Sequence, residues 1–313
     1  MKKTLLVILV MTAACLATYN YLGYWGSQGT GNGQFHQPNY LALGTNNAIY
    51  VTDMGNDRIQ YFTTSGSYLG QWGSNGRGNG QFNTPVGIAI SSTGNVYVTD
   101  QNNNCVQYFT QNGSYLGQWG TAGVEEGQFL NPTGVAVAAN GNVYVADSYN
   151  DRVQYFDSTG NILGVFFGGT GYMLNYPTDL AIATNGNIYV LDRQNYRVMY
   201  FDPNGSYLGN FGSFGTGPSQ FYYPAGICVS GSGTVFVTDG AVHKVKYFTL
   251  AGSFIGMFGE PGPYPSQLSG PYGIESISSA LYIADYTACR IVYYSNSTRV
   301  EPASVGVVRS FYH

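Results

Sequence analysis

The chain has 313 residues, 44% of them hydrophobic and 16% aromatic, which argues against a disordered polypeptide and supplies a sizeable core. Forty-four glycines and 29 tyrosines, with many Asn, Thr and Val, favour strands and tight turns over helices. Only 9% of residues are charged, the net charge is −4, and no loop gathers the clustered Lys and Arg that a phosphate backbone requires, so no nucleic-acid partner is expected.

The first residues form a unit of their own. Lys2 and Lys3 precede an apolar run from Leu5 to Ala14, and Cys15-Leu16-Ala17 places small residues at −3 and −1 of a signal-peptidase site. This predicts a secretory leader over 1–17, too short to span a bilayer. Lipidation of Cys15, making a lipoprotein, is the alternative. Removing the leader takes the 12 basic residues to 10 against 16 acidic ones, a net charge of −6. No later run is apolar enough for a transmembrane helix, so a secreted, periplasmic or extracellular location is expected.

Tyr19 to Gly26 (YNYLGYWG) reads as an outer strand with no partners before it. A repeat then begins. Pro38, Pro85, Pro132, Pro177, Pro224 and Pro271 open successive units 45 to 47 residues apart, and Asp53, Asp100, Asp147, Asp192, Asp239 and Asp285 follow about 15 residues later. Unit two shows the pattern in full. Thr84–Ile90, Asn95–Asp100, Cys105–Phe109 and Tyr115–Gly120 are four strands, the last pair joined at Asn112-Gly113. Four antiparallel strands per repeat make a propeller blade. The last unit has three clear strands, so the N-terminal strand is expected to complete blade six and close the ring. The predicted organisation is an all-β, six-bladed propeller over 18–298, with a tail at 299–313.

The repeated phrases Pro-x-Gly-Ile-Ala-Val, Gly-Asn-Val-Tyr-Val-x-Asp, Asn-x-Arg-Val-Gln-Tyr-Phe and Gly-x-Tyr-Leu-Gly-x-Trp-Gly resemble NHL repeats across nearly all of the mature chain. The resemblance implies a six-bladed propeller. That family spans peptide binders, RNA binders, lyases and sensor domains, so fold alone does not choose a function.

Five residues after each anchor aspartate stands a base: Arg58, Arg152, Arg197, Lys244 and Arg290, with Cys105 the exception in blade two. Each pair is expected to clasp the intervening turn. The glycine-rich connections, such as Gly76–Phe82, lack the Lys-Ser/Thr of a phosphate loop, and their Phe is expected to plug the gap between blades. Cys105, Cys228 and Cys289 are an odd set without CxxC spacing, read as small buried thiols, and His36, His243 and His313 are too scattered for zinc.

Departures from the repeat carry the functional expectation. Two residues past the proline, four blades have Gly where blade one has Tyr40 and blade four has Asp179; four residues past it, small residues give way to Glu275 in blade six. A carboxylate there is costly unless it is hydrogen-bonded or binds something. Tyr149, Arg193, Tyr196, His243, Tyr272 and Tyr286 lie in turns on the same face, and tyrosine suits recognition. The expected function is a non-catalytic, monomeric module binding a peptide, protein or glycan on this loop face, with no cofactor. The alternative is a lyase or lactonase-like enzyme, with Asn39, Asp179 and Glu275 offering oxygen ligands to Ca²⁺ at the channel mouth.

Overall fold

The computed structural model describes residues 18–297. The leader, Cys15 and the tail lie outside the described residues. The described chain folds into six four-stranded antiparallel sheets. Blade one runs outward from Pro38–Leu43 through Ala48–Asp53 and Arg58–Thr63 to Tyr68–Trp72, and the following blades repeat this order. The innermost strands neighbour one another around the ring, and that of blade six, Pro271–Ile277, returns to that of blade one. Blade six takes its outer strand from the N-terminus. Thr18–Trp25 pairs with Arg290–Ser297, setting Tyr21 opposite Tyr294 and Trp25 opposite Ile291. The expected closure is therefore present, and no sheet is left with three strands.

Burial follows strand position. Second strands lie between two neighbouring blades on both faces, so Ala48–Asp53 is buried throughout, while the outer Tyr68–Trp72 alternates half-buried and exposed residues. The core is divided into layers between blades. One layer packs Tyr50 and Ile59 of blade one against Val86, Val98 and Phe109 of blade two, with Phe82 filling the gap. Phe35, Phe82, Phe129 and Phe221 are fully buried plugs. Gly26 makes room for one of them: a Cβ there would lie 2.5 Å from the Phe35 ring, and its φ of +96° suits only glycine. Each full burial of this kind contributes on the order of 1.5–3 kcal/mol.

Tyrosine hydroxyls tie one blade to the next. Tyr50, Tyr97, Tyr144 and Tyr189 donate to the carbonyls of Gln111, Ser158, Pro203 and Leu250, and Tyr282 of blade six donates to Thr64 of blade one.

The expected clasps occur in four blades. Nε of Arg58, Arg152 and Arg197 lies 2.7 Å from its aspartate, and Arg290 sits 3.0 Å from Asp285. Blade five corrects the expectation. Lys246, not Lys244, pairs with Asp239 at 3.0 Å, both side chains fully buried. Lys244 turns outward to Glu260. Lys246 occupies the place that Gln60, Gln107 and Gln154 hold in the first three blades, so the ammonium arrives seven residues after the aspartate.

Candidate functional site

The connections between blades and the turns between second and third strands share one face of the disc. Arg58 shows this directly, since it reaches from its turn to the carbonyls of Thr30 and Gly31 in the connecting loop. On this face an arc of aromatic rings crosses blades three to six. Tyr149 lies 5.4 Å from Tyr176, and the Arg193 guanidinium sits 5.8 Å from the Tyr176 ring and 3.8 Å from that of Tyr223. The Tyr223 and Tyr272 hydroxyls are hydrogen-bonded at 2.8 Å, and Tyr272 stacks on Tyr286 at 4.6 Å. Cation–π contact orders a guanidinium through its face, leaving the in-plane N–H edge available for hydrogen bonds. Arg193 has no carboxylate partner among the described residues.

Burial raises the pKa of Tyr272 and Tyr176, while the nearby Arg193 charge pulls both down. Both stay neutral donors at physiological pH. A depression of about 260 Å³ lies at the end of the arc, walled by Tyr223, Tyr272 and Tyr286 and floored by Gly240, Ala241 and Gly270. Tyr149 is the most exposed member of the arc, at 60%.

Beneath the arc, Tyr40 closes the central channel. Its ring leaves blade one and crosses the axis, donating to Ala225 O at 2.8 Å on blade five, with Thr178 O of blade four at 3.4 Å. Glycine at the matching position elsewhere is forced by crowding: a Cβ on Gly134 would lie 2.6 Å from Asp179 Cα, and one on Gly273 as close to Tyr40 Cα.

Below Tyr40 a cavity of about 220 Å³ is lined by Asp179, Glu275, Cys228 and the small residues Ala42, Ala89 and Ala136. Asp179 accepts hydrogen bonds from the N–H groups of Leu180 and Ile227, both at 2.8 Å. Burial pushes its pKa well above the carboxylate range; the two N–H groups oppose this and Glu275 adds to it. Burial likewise raises Glu275 to about 7. Asn39 turns its amide to Met54 Sδ, and among the described residues no three His, Cys, Asp or Glu side chains are grouped as a metal site requires.

The structure thus brings together Tyr149, Arg193, Tyr272 and Tyr286, with Tyr40 under them, and sets Asp179 and Glu275 apart inside the channel rather than at an open mouth. Tyr196 belongs to a different group, edge-on to Phe214 at 4.8 Å, and that ring in turn contacts Tyr222. His243 stays in its own turn, its buried Nδ1 without a hydrogen-bond partner among the described residues. The sequence reading missed Tyr176 and Tyr223. Both stand immediately before the blade-opening proline, where other blades carry Gln37, Thr84, Asn131 and Gly270, so two consecutive aromatics there were the available signal.

Comparison with known proteins agrees with this architecture. An NHL repeat profile matches residues 82–109 and 129–156, and a profile described as a 6-bladed beta-propeller matches 174–259. No curated protein matches the chain in sequence. Among solved structures, virginiamycin B lyase from Staphylococcus aureus is similar, with a TM-score of 0.62 and 15% identity over 90% of this chain and 100% of that one. A gluconolactonase from Xanthomonas campestris gives 0.64 and 14% over 85% and 88%. A chain of a nidogen/laminin complex gives 0.57 and 18% over 79% and 87%. Identities this low speak for the fold and leave function to the site. The repeat, the six closed blades and the two profiles agree: the chain is a six-bladed β-propeller containing NHL repeats.

Proposed function

We propose that this protein is a secreted, non-catalytic binding module whose loop face captures a peptide, protein or glycan. The observation that carries this reading is Arg193, held between Tyr176 and Tyr223 with no carboxylate partner among the described residues. Flat tyrosine faces supply contact area at low entropic cost, and an ordered guanidinium adds a polar anchor. The Tyr223–Tyr272 hydroxyl pair and the small-residue floor beside it form a shallow subsite for one side chain or sugar ring.

Parallel screens of an oligosaccharide array and a displayed random-peptide library test the proposal, using the wild type and Arg193→Ala. Ligands recovered by the wild type should be lost or weakened about tenfold or more in the variant, as expected for a residue at the centre of a contact. Tyr196→Ala, which alters the separate Phe214 group, should leave them bound. Screens whose ligands all survive Arg193→Ala would sink this reading.

A further inference from the structure

Asp100 of blade two is the one anchor aspartate with no cation partner among the described residues. It is fully buried and accepts from Asn83 N–H, Asn103 Nδ2 and Gln107 Nε2 at 2.8 to 2.9 Å, but Cys105 stands where Arg58 stands in blade one. Blade one shows what the missing side chain would do. Arg58 donates five hydrogen bonds of 2.7 to 2.9 Å: Nε to Asp53, the other two nitrogens to the carbonyls of Thr30, Gly31 and Gln34 and to Gln71 Oε1.

The same acceptors recur 47 residues later as Asp100, Arg77, Gly78, Gln81 and Gln118. The two connecting loops, Gly29–Phe35 and Gly76–Phe82, differ only at Thr30 and Arg77. They are braced identically. Gln60 and Gln107 donate to the Gln34 and Gln81 carbonyls, Asn56 and Asn103 to those of Gly29 and Gly76. Where the arginine would lie there is a cavity of about 410 Å³, lined by Asp100, Asn103, Cys105 and Gln107 and reaching the exposed residues Arg77 and Gln118. Asn103 Oδ1, buried beside it, has no hydrogen-bond partner among the described residues.

We propose that this cavity is a binding site for a guanidinium group supplied from outside the blade. A buried carboxylate beside a loop that repeats the carbonyls bound by Arg58 in blade one calls for several donors in one plane, which a guanidinium provides. An ammonium fits less well, as blade five illustrates: Lys246 Nζ, from two places further along the third strand, donates to Asp239 and to the Gln220 carbonyl, against the five acceptors of Arg58.

The test titrates the full chain with methylguanidinium and with methylammonium at constant ionic strength, following the amide resonances of Gly78, Gln81 and Gln118 and the melting temperature. Methylguanidinium should saturate in the millimolar range and raise the melting temperature. Methylammonium should bind about tenfold more weakly, the difference expected between a planar fork and a point charge. Cys105→Arg, which fills the cavity from within, should abolish saturation while remaining folded. Acetyl-Gly-Arg-Gly-amide separates the sources. Tighter binding than methylguanidinium supports an arginine presented by a polypeptide; binding of methylguanidinium alone supports a small free guanidinium compound. Equal responses in the wild type and Cys105→Arg, or equal binding of the two cations, would overturn the proposal.

Discussion

Blades one and two are near-copies at an offset of 47 residues, yet in one an arginine donates five hydrogen bonds, one to the aspartate and four to its surroundings, and in the other no arginine stands there. The rest of the network survives the loss. Asp100 still receives the loop N–H, the turn asparagine and the third-strand glutamine, as Asp53 receives His36 N–H, Asn56 and Gln60. In a repeat protein each blade is a control for its neighbours, so a missing side chain can be seen as an unfilled volume with known acceptors around it. The comparison also separates two roles of the clasp. Its neutral donors suffice to place the aspartate, while its cation sets the energy of keeping that aspartate ionised.

The strongest way to break the comparison is to give blade one the exception found in blade two. Arg58→Cys strips Asp53 of its buried cation and leaves the carbonyls of Thr30, Gly31 and Gln34 without this donor. Removing one partner of a buried ion pair costs about 3–5 kcal/mol, read as a fall in the denaturant midpoint. Millimolar methylguanidinium should recover part of that loss by occupying the new vacancy. An Arg58→Cys protein as stable as the parent would show that the clasp contributes nothing, and the equivalence of the two blades would fail with it.

The converse substitution has a smaller effect with a distinct pH signature. Burial raises the Asp100 pKa from 3.8 to about 6, against the opposing pull of Asn83, Asn103 and Gln107. A carboxyl whose folded pKa exceeds its unfolded one favours the folded state below pH 3.8, and that contribution is lost as pH rises to 6 and above. Cys105→Arg supplies the cation and lessens the loss without abolishing it, since burial still raises Asp147 beside its own Arg152. The variant should match the wild type near pH 4 and gain on the order of 2 kcal/mol by pH 7, measured by urea denaturation across that range. A constant difference at all pH values would mean that the arginine acts by packing alone.

The period, the closure and most of the clasps were legible in the sequence because they depend on spacing, which a repeat displays six times. Cys105 was legible as an exception, but its meaning was not, since a cavity is a property of the volume its neighbours decline to fill. Lys246 was passed over in favour of Lys244 for a related reason. Its position seven residues after Asp239 points to the same carboxylate from the next inward-facing place on the strand, and a fixed offset of five cannot find it. The departures at Tyr40, Asp179 and Glu275 were flagged from residue type. That Tyr40 crosses the ring to blades four and five, closing the channel above both carboxylates, depends on blades far from it in sequence.

Glu275 supplies the mildest test, because it too is a carboxyl raised by burial without a cation, yet it has no vacant arginine site around it. Its pKa lies at about 7, displaced from 4.5, and it keeps partial contact with the channel. By the same sign rule, its contribution to stability is full below pH 4.5 and lost as pH rises through 7. Glu275→Ala gives blade six the residue found at Ala42, Ala89, Ala136 and Ala181, so the variant should be unchanged near pH 4 and gain about 1 kcal/mol at pH 8, a figure reduced for solvent access. Methylguanidinium should stabilise this variant as much as the parent, since blade two is untouched. If the stabilisation by methylguanidinium disappears in Glu275→Ala, the cation acts in the channel, and the contrast between blades one and two would lose its chemical meaning.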